Sequence, residues 1–552
     1  MPEQKQRILI LGAGVMQGPA IRCAKAMGLE TVVIDGDPGA PEASGADRFE
    51  PIDLKNIQKI EEFARTLKSE GGLHGVMTAG TDFSASVAWV AEKLKLPGIP
   101  YETALDASDK GRMRKRFSEA GLPSPAFTVF TKENCTVTKP GGNSGGRLPA
   151  DVPFPYPVVV KPVDNMGARG CRMAVNGAEL REAVETALGF SRTGQAIVEE
   201  YMEGPEFSVD AVVYHGKITI CGLADRHIFF PPYFIEMGHT MPAAVPSKEA
   251  EAIINVFIRG IQALGIDNGA AKGDIKLTSK GPMIGEIAAR LSGGYMSGWT
   301  YPYASGANPA KGAICAALGR EPEGLNPVRN WTSAERAFIS IPGLVRSVEG
   351  IDEARNMPGI KELFLRSSPG SRVYFPENNV SKAGNVISAA RDRQAAVLAA
   401  EKAARTVFIR LAVPDTETGA FLAGPIEAGN SPLFPPPAYV LDTAKLGQLA
   451  AMACAAAPGA IMPGALSVAP FPAFTKSDAR DYMGRSPAET LETVKKITGM
   501  ELKETSGKPL LGREFWTALI RGGCQGAVYY LDCLFSVNNP QNTADLCNRG
   551  VP

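Results

Sequence analysis

Residues 269–294 read GAAKGDIKLTSKGPMIGEIAARLSGG, and this stretch decides which fold the middle of the chain adopts. Within it, DIKL and MIGEIAAR have the composition of short strands, and TSKGP between them contains the Gly and Pro of a turn. The pattern predicts a β-hairpin that runs into a Gly-rich loop. One carboxylate stands on each side of the turn, Asp274 before it and Glu286 after it.

The two carboxylates of the hairpin suggest a metal site. Asp274 and Glu286 can share one or two Mg²⁺ (or Mn²⁺) ions, because hard divalent cations prefer carboxylate and phosphate oxygens. Arg290 follows Glu286 by four residues and offers a fixed positive charge to an anionic substrate or transition state. Taken alone, the pair is better explained as ordinary solvent-facing strand residues. The motifs upstream of the hairpin favour the metal site instead.

The composition limits the classes of function. A chain of 552 residues with 44% hydrophobic residues can bury several cores, and about two to four domains are expected. Its formal net charge of zero gives no reason to expect nucleic acid or an anionic membrane as a partner. The nine cysteines show no CxxC spacing and are expected to be free thiols in a reducing compartment.

Neither targeting nor membrane insertion is expected. The first residues, MPEQKQRILILGAG, place charges directly before a strand pattern and lack the apolar segment of a signal peptide. The most apolar long window, residues 449–468, is broken by two Pro-Gly pairs. We therefore expect a cytoplasmic protein without a membrane span.

Residues 7–105 alternate short apolar strands with helical patterns, which predicts a doubly wound α/β domain with a parallel sheet. Gly12, Gly14 and Gly18, together with Asp35, imitate a dinucleotide fingerprint, but their spacing is GxGxxxG instead of GxGxxG. Such a turn can equally hold another anion or simply allow tight packing of strand on helix. NAD is thus the weaker interpretation.

A lysine at a strand end and a Gly-rich loop indicate a site for a nucleoside triphosphate. The strand YPVVVKP delivers Lys161 at its end, and the loop NMGARG at 165–170 follows at once. Glycines expose backbone N–H groups that can close on phosphate oxygens. A lysine at a strand end is often merely exposed, but the loop directly behind it argues against that alternative.

The blocks at 96–127, 156–170, 196–213 and 269–294 follow one another in the order of the ATP-grasp superfamily, and the chain resembles its carboxylate–amine ligases. The motif EIAAR at 286–290 resembles the bacterial L-amino-acid ligases, which form dipeptides. Many relatives carry an Asn where this chain has Ala288, so a third protein ligand to the metal is not expected. Residues 337–411 resemble the small C-terminal lobe of the same branch, and the resemblance covers about residues 7–411.

The resemblance implies a role for each matching residue of the nucleotide site. Glu199 would accept from the adenine amino group, Glu206 would hold the ribose hydroxyls, and the backbone of 200–202 would read the adenine edge. The full implied set comprises the phosphate-binding Lys110 and Lys161; the loop residues Gly167, Ala168, Arg169 and Gly170; the adenine-binding Glu199, Glu200, Tyr201 and Met202; the ribose-binding Glu206; and the metal ligands Asp274 and Glu286.

Substrate residues are expected beyond the hinge. In the ligase branch this region lines the substrate pocket, so Arg226 is a candidate for a substrate carboxylate and His239 for positioning a carboxylate or deprotonating an amine. A loop histidine that holds a backbone carbonyl is an equally good explanation for His239. The catalytic candidates are Arg290 and Lys272, with the N–H groups near Gly293 and Gly294 as further stabilising groups.

These observations predict an α/β chain of the ATP-grasp class with a doubly wound N-terminal domain. The expected division is a Rossmann-like domain at 1–105; an ATP-grasp domain at 106–330 with its lid at about 112–205; a C-terminal lobe at 331–412; a Pro- and Gly-rich linker at 413–439; and an extra domain of unassigned role at 440–552.

The expected activity is ATP- and Mg²⁺-dependent ligation of a small-molecule carboxylate to an amine, with amino acids as the expected substrates and an acyl phosphate as the intermediate. A homodimer is compatible with the sequence. Three alternatives stay open: a carboxylase or carbamoyl-phosphate type of ATP-grasp enzyme that uses bicarbonate, an NAD-linked oxidoreductase, and a non-catalytic ATP-binding protein.

Overall fold

The computed structural model describes residues 5–132, 152–427, 433–455 and 465–536. It divides into two compact units. The first contains Met1–Phe229, Tyr233–Glu335 and Ile387–Leu398, and the second contains Phe230–Pro232, Arg336–Val386 and Ala399–Pro552. Cys135, Cys547, residues 537–552 of the expected extra domain and most of the Gly-rich segment 131–154 lie outside the described residues.

The first unit begins with a parallel α/β arrangement, as predicted. Its sheet has the order β3-β2-β1-β4, and every neighbouring pair is parallel. Separate hydrophobic clusters cover its two faces, which is why the strands are continuously apolar. The elements are β1 (Arg7–Leu11), α1 (Gly18–Ala26), β2 (Glu30–Asp35), β3 (Arg48–Pro51), α2 (Ile57–Gly71), β4 (Gly75–Thr78), α3 (Ser84–Leu94), α4 (Tyr101–Ser108) and α5 (Lys110–Glu119).

Side chains of the protein accept hydrogen bonds from the backbone of the glycine turn after β1. Asp35 accepts a hydrogen bond from the Ala13 N–H at 2.8 Å, and the Gln17 side chain accepts one from the Gly14 N–H at 2.9 Å. A Cβ on Gly12 would lie 3.0 Å from Cδ of Gln17, so the side chain of Gln17 lies against the turn. The groups that would receive a dinucleotide are therefore engaged within the protein, which weakens the NAD alternative.

A small antiparallel sheet with the order β5-β8-β6-β7 follows. One helix covers it, and a hydrophobic cluster lies between sheet and helix. The strand β6 carries Lys161 near its end, where the sequence predicted it. The elements are β5 (Phe127–Thr131), β6 (Val158–Pro162), β7 (Arg172–Ala174), α6 (Gly177–Phe190) and β8 (Gln195–Glu200).

The large antiparallel sheet of the first unit contains the hairpin predicted at 269–294. Its strands run in the order β13-β12-β9-β10-β11-β14. Helices α5 and α7 pack on it through Phe117 and Phe257, which are fully buried. The elements are β9 (Glu206–Tyr214), β10 (Lys217–Phe229), β11 (Ile235–Met241), α7 (Ser247–Leu264), β12 (Gly269–Thr278), β13 (Gly281–Ala288), a π-helical turn (Met296–Thr300), α8 (Tyr301–Ser305), α9 (Pro309–Ala317) and β14 (Thr332–Phe338), which runs on into the second unit.

The second unit combines a three-stranded sheet, β17-β15-β19, with a two-stranded parallel sheet of β20 and β21. A large cluster of buried apolar residues surrounds α16. The elements are β15 (Gly343–Glu349), α10 (Ile351–Arg355), β16 (Ile360–Leu365), β17 (Arg372–Val373), β18 (Gly384–Ala390), α11 (Arg393–Thr406), β19 (Phe408–Leu411), α12 (Thr416–Leu422), α13 (Thr443–Ala451), β20 (Ala465–Val468), α14 (Pro472–Thr475), α15 (Pro487–Thr498), β21 (Glu501–Glu504) and α16 (Arg513–Ser536). The segment Ile387–Leu398, which contains parts of β18 and α11, belongs to the first unit.

Two features of the second unit differ from the sequence-based expectation. The predicted linker 413–439 contains the helix α12, which Asp415 begins by accepting hydrogen bonds from the N–H groups of Glu417 and Thr418. The apolar stretch after residue 525, to which the sequence assigned no element, continues α16 to Ser536 beyond a non-helical residue, Gly523. Among the described residues, no helix combines the length and apolar character needed to cross a membrane.

Candidate active site

The hairpin sets the geometry of the candidate metal site. Asp274 on β12 and Glu286 on β13 are direct cross-strand partners, so their side chains share one face of the sheet. Asp274 is 8% exposed, and the side chain of Glu286 is 33% exposed. On the same face, Lys272 stands opposite Ala288. The small Ala288 side chain offers no oxygen ligand at this position.

Asp274 is surrounded by donors. Oγ of Ser208 donates to it at 2.8 Å, Nζ of Lys272 donates to it, and the guanidinium of Arg226 lies 3.1 Å from Oδ2. Burial by itself would raise the pKa of Asp274, but Arg226 and Lys272 outweigh it and hold that pKa below its usual range. The carboxylate is therefore ionised near neutral pH, as a metal ligand must be.

Lys110 connects Glu286 with the Gly-rich loop. Its Nζ donates to the Asn165 carbonyl at 2.8 Å and lies 3.8 Å from Oε2 of Glu286. Asp109 caps the helix α5 through the Arg112 N–H, which places Lys110 at the first helical position with a buried side chain. Burial by itself would raise the pKa of Glu286, but the nearby positive charge of Lys110 opposes this effect. The pKa of Glu286 is lower than its usual value.

A divalent ion fits Asp274 and Glu286 only with further ligands. Among the described residues, no cluster of three or more His, Cys, Asp or Glu side chains forms a metal cage. Two ionised carboxylates facing each other across a hairpin are a suitable donor set for Mg²⁺ bound jointly with phosphate oxygens. The chemistry of the site thus agrees with a metal that arrives with a nucleotide.

The Gly-rich loop has an unusual backbone. Gly167, Ala168 and Gly170 have φ values of +67°, +59° and +68°, and Ala168 reaches this left-handed region despite its Cβ. At the base of the loop, Asp164 accepts hydrogen bonds from the N–H groups of Arg192 and Thr193 at 3.0 and 2.7 Å. The loop is thus held in place at its base.

Glu199 lies at the centre of a buried ion cluster. Its two oxygens accept from Nζ of Lys161 at 2.7 Å and from Nε of Arg114 at 2.8 Å. Burial would raise the pKa of Glu199, but these cations lower it, and Glu199 in turn raises the pKa of Lys161 against burial. Glu199 therefore fixes Lys161, for which phosphate binding is predicted. Each oxygen retains a lone pair, so its adenine-binding role stays a prediction.

The hinge between β8 and β9 has the features of a base-binding wall. Nζ of Lys276 donates to the Met202 carbonyl at 3.0 Å and lies 5.0 Å from the centre of the Tyr201 ring. The Phe234 ring stacks on Tyr201 at 6.4 Å. Glu200 pairs with Lys280 at 3.2 Å on the exposed side. Tyr201 and Met202 thus lie on the inner side of the hinge, while Glu200 points outward.

Arg226, expected to bind a substrate carboxylate, is instead surrounded by carboxylates of the protein. Its guanidinium contacts Glu206, Glu236 at 2.8 Å and Asp274 at 3.1 Å. Burial would lower the pKa of Arg226, but the three acids raise it well above its usual range. Because its donors are engaged, the expected direct contact with substrate is not supported by this arrangement.

His239 is fully buried on β11, and its Nδ1 lies 2.7 Å from Oε2 of Glu335. Its Nε2 lies 3.6 Å from Glu236, a residue to which the sequence assigned no role. A Cβ on Gly294 would lie 2.8 Å from Oε1 of Glu236 and 3.0 Å from Cε1 of His239. The absence of a Cβ at Gly294 thus allows Glu236 and His239 to approach the loop backbone closely.

The loop after β13 carries Arg290. Its NH1 donates to the Leu291 carbonyl at 3.1 Å, and its buried Nε has no hydrogen-bond partner among the described residues. The neighbouring Gly293 packs on the loop after β4, since a Cβ there would lie 2.9 Å from the Gly80 carbonyl oxygen. Arg290 therefore retains an unused donor at the point where the N-terminal domain meets the hairpin.

Sequence reasoning gave no role to Asp82, Arg114 or Asp210. Asp82 follows β4, where open parallel sheets bind ligands, and burial raises its pKa although Arg290 and Lys110 oppose this. Arg114 lies one helical turn after Lys110, which was the available signal. Asp210 had no signal, because the serines that bind it are remote in sequence.

Asp210 clamps the loop that carries Arg290. The Oγ atoms of Ser292 and Ser297 both donate to its carboxylate at 2.5 Å, and Oγ of Ser297 also accepts from the Ser292 N–H at 2.9 Å. Burial raises the pKa of Asp210 although the serines lower it. The clamp fixes residues 292–297 against β9.

Two family models match the chain. Residues 154–298 match an ATP-grasp domain, and residues 337–412 match the L-amino acid ligase C-terminal domain 2. Both stretches fall where the sequence suggested them. Their order, first the nucleotide domain and then the small lobe, is also the order expected.

Known relatives are distant. An uncharacterised protein, y4rH of Sinorhizobium fredii, is 24% identical over 415 residues, which cover 73% of this chain and 82% of that protein. Carnosine synthase 1 of Gallus gallus is 25% identical over 339 residues, which cover 58% of this chain but only 36% of the synthase. This chain thus spans about a third of the synthase length.

The fold has solved counterparts. The crystal structure of L-amino acid ligase from Bacillus licheniformis superposes with a TM-score of 0.63 at 21% identity, covering 74% of this chain and all of that one. At this level of identity the likeness concerns the fold. It confirms the ATP-grasp architecture predicted from the order of the sequence blocks.

Proposed function

We propose that this chain, an ATP-grasp ligase that carries the second C-terminal domain of L-amino acid ligases, joins the carboxylate of one amino acid to the amine of another and consumes ATP. The observation that carries the proposal is the pairing of Asp274 and Glu286 across the hairpin, with Lys110 between Glu286 and the Gly-rich loop. In this arrangement the two carboxylates would hold a divalent metal, and Lys110 and the backbone of the loop would contact the phosphates.

The nucleotide would lie between the two antiparallel sheets of the first unit. The stacked rings of Tyr201 and Phe234 would contact the base, the backbone at Met202 would read its edge, and Glu206 at the start of β9 suits ribose hydroxyls. Lys161 and Lys110 supply positive charge toward the phosphates. Mg²⁺ or Mn²⁺ bound by Asp274 and Glu286 would offset the charge of the phosphate oxygens.

The acid substrate would lie near Arg290, whose unused Nε can donate to a carboxylate or to the oxyanion of a tetrahedral intermediate. The substrate carboxylate attacks the γ-phosphate and releases ADP, which yields an acyl phosphate. Lys272, directed at Asp274, is placed to share in stabilising the negative charge of that transfer.

An ammonium group would be held by Glu236 and His239 beside Gly294. The amine, once deprotonated, attacks the acyl carbon, and phosphate leaves. His239 already contacts two acids, Glu335 and Glu236, and is placed to hold the proton during this step. Closure of the loop 165–170 would exclude water, which would otherwise hydrolyse the acyl phosphate.

Phosphate release from ATP and Mg²⁺ across a panel of amino acids, singly and in pairs, tests the proposal. Release that requires two amino acids and vanishes in Glu286→Gln is the expected result. Glu251→Gln, at an exposed position of α7, is the matched control and should behave as wild type. Release that depends on bicarbonate alone would favour the carboxylase alternative. Full activity in Glu286→Gln would contradict the proposed site.

A further inference from the structure

Arg226 contacts three carboxylates, and the ligase function proposed above gives each of them a different role. Glu206 belongs to the ribose site, Asp274 to the metal site and Glu236 to the substrate ammonium site. They come from β9, β12 and β11, and Arg226 stands on β10 between β9 and β11. Its side chain is 14% exposed.

The charges around Arg226 explain why these acids need it. Asp274 also receives Lys272, and Nζ of Lys276 lies 3.9 Å from Glu206, farther than the guanidinium of Arg226. Nε2 of His239 lies 3.6 Å from Glu236, also farther than Arg226 at 2.8 Å. Without Arg226, two or three carboxylates would converge with incomplete compensation in a poorly solvated space. Such an arrangement repels a nucleotide, which brings further negative charge.

We propose that Arg226 is a positioning residue that keeps these three carboxylates convergent before the nucleotide and the metal arrive, and that the metal takes over its contact with Asp274. The proposal rests on the ligase function proposed above. In the metal-loaded protein, Arg226 would retain Glu206 and Glu236. The guanidinium fork suits this exchange, because it can release one acid while it holds the other two.

The proposal predicts how binding of metal and nucleotide are coupled. When Arg226 is neutralised, ADP should bind much more weakly without metal, because the acids then repel it. With Mg²⁺ present, Asp274 is compensated again and part of the affinity returns. The factor by which Mg²⁺ improves ADP binding should therefore be about tenfold larger in Arg226→Gln than in wild type. A tenfold change lies within the usual range for coupled sites.

Calorimetric titration of ADP with and without Mg²⁺ measures this factor, and ADP avoids turnover. Arg226→Lys keeps the charge but loses the fork, and its factor should rise by a smaller amount, about threefold. Arg393→Gln is the control, because Arg393 pairs with Asp225, the neighbour of Arg226 on β10, outside the candidate site. Its factor should equal that of wild type.

The outcomes separate the two proposals. Equal losses of ADP affinity with and without Mg²⁺ in Arg226→Gln would mean a merely structural role and would overturn this inference alone. If Arg226→Gln does not fold, as judged by thermal unfolding, an unchanged factor in Arg226→Lys overturns it instead. A wild-type protein that binds ADP under neither condition would overturn the ligase proposal together with this one.

Discussion

Asp532 accepts two hydrogen bonds from the Arg410 guanidinium, from Nε at 2.7 Å and from NH2 at 2.6 Å. The pair joins α16 to β19 within the second unit. Further contacts reinforce the connection, since the Gln525 side chain accepts from the Ile341 N–H at 3.1 Å and the Tyr529 hydroxyl accepts from the Asp415 N–H at 2.8 Å. Residues after the matched ligase domain are thus built into the packing of that domain.

Replacing Asp532 by Ala should destabilise the second unit by about 2 kcal/mol, because it removes two charge-assisted hydrogen bonds from the Arg410 guanidinium, whose remaining acidic neighbour is Glu349 at 3.6 Å. Differential scanning calorimetry of the full chain measures the loss. Glu353→Ala removes one partner of the exposed pair Lys496–Glu353 in the same unit and should cost about 0.5 kcal/mol or less. Equal effects of the two substitutions would contradict the role assigned to the Arg410–Asp532 pair.

Glu199→Gln should reduce stability by about 3 kcal/mol at pH 7, since it leaves Lys161 and Arg114 buried around a neutral group. The folded-state pKa of Glu199 lies below that of the unfolded chain, about 4.3. Its contribution is therefore complete above that value and is lost as the pH falls through the folded-state pKa.

Denaturant unfolding of wild type and Glu199→Gln at a series of pH values checks this dependence. The difference in unfolding free energy should be constant from pH 8 to about pH 5 and should shrink below about pH 4. Asp274 and Glu286 are common to both proteins, so they cancel in the comparison. A difference that grows on acidification would refute the assigned sign.

The loop 165–170 offers a paired test at neighbouring positions. Ala168→Gly should stabilise the protein by about 1 kcal/mol, because glycine adopts a φ of +59° without the clash of a Cβ. Gly170→Ala should do the opposite, since its φ is +68° and its new Cβ would meet Cβ of Phe190 at 2.9 Å. Chemical denaturation measures both changes. Stabilisation by both substitutions would contradict the positive φ values of the loop backbone.

Arg290→Lys should lower the rate of phosphate release about 100-fold while leaving ADP affinity near that of wild type. A lysine keeps the charge but lacks the Nε–H donor that the arginine leaves unused. Steady-state kinetics together with calorimetric ADP binding separate the two effects. Equal losses in rate and affinity would instead place Arg290 in the nucleotide site.

The sequence predicted the parallel N-terminal sheet and the hairpin well, because both depend on local patterns. The alternation of apolar strands with helices gives the first, and a Gly-Pro turn between two strand segments gives the second. Strand β6 likewise ends near Lys161 before the Gly-rich loop, as expected. The hairpin, the strand with its Gly-rich loop and the first strand–helix–strand unit of the sheet each fit within about 30 consecutive residues.

The features that could not be predicted from the sequence depend on contacts between segments that are remote in the chain. Arg226 looked available for a substrate because its acids, Glu206, Glu236 and Asp274, lie on three other strands. Glu236 and Asp82 received no role for the same reason, since their importance comes from neighbours that only the folded sheet brings together. In the second unit, α12 was missed because Pro and Gly around it dominate the local composition.

The hydrogen bonds from Ser292 and Ser297 to Asp210 also affect protein engineering. Exchanging the loop after β13 for that of another ligase, in order to broaden substrate choice, would remove the two serine hydroxyls that donate to Asp210. Asp210 would then remain as a buried carboxylate without donors. A successful chimera must therefore transfer residue 210 together with the loop, although 81 residues of chain lie between Asp210 and Ser292.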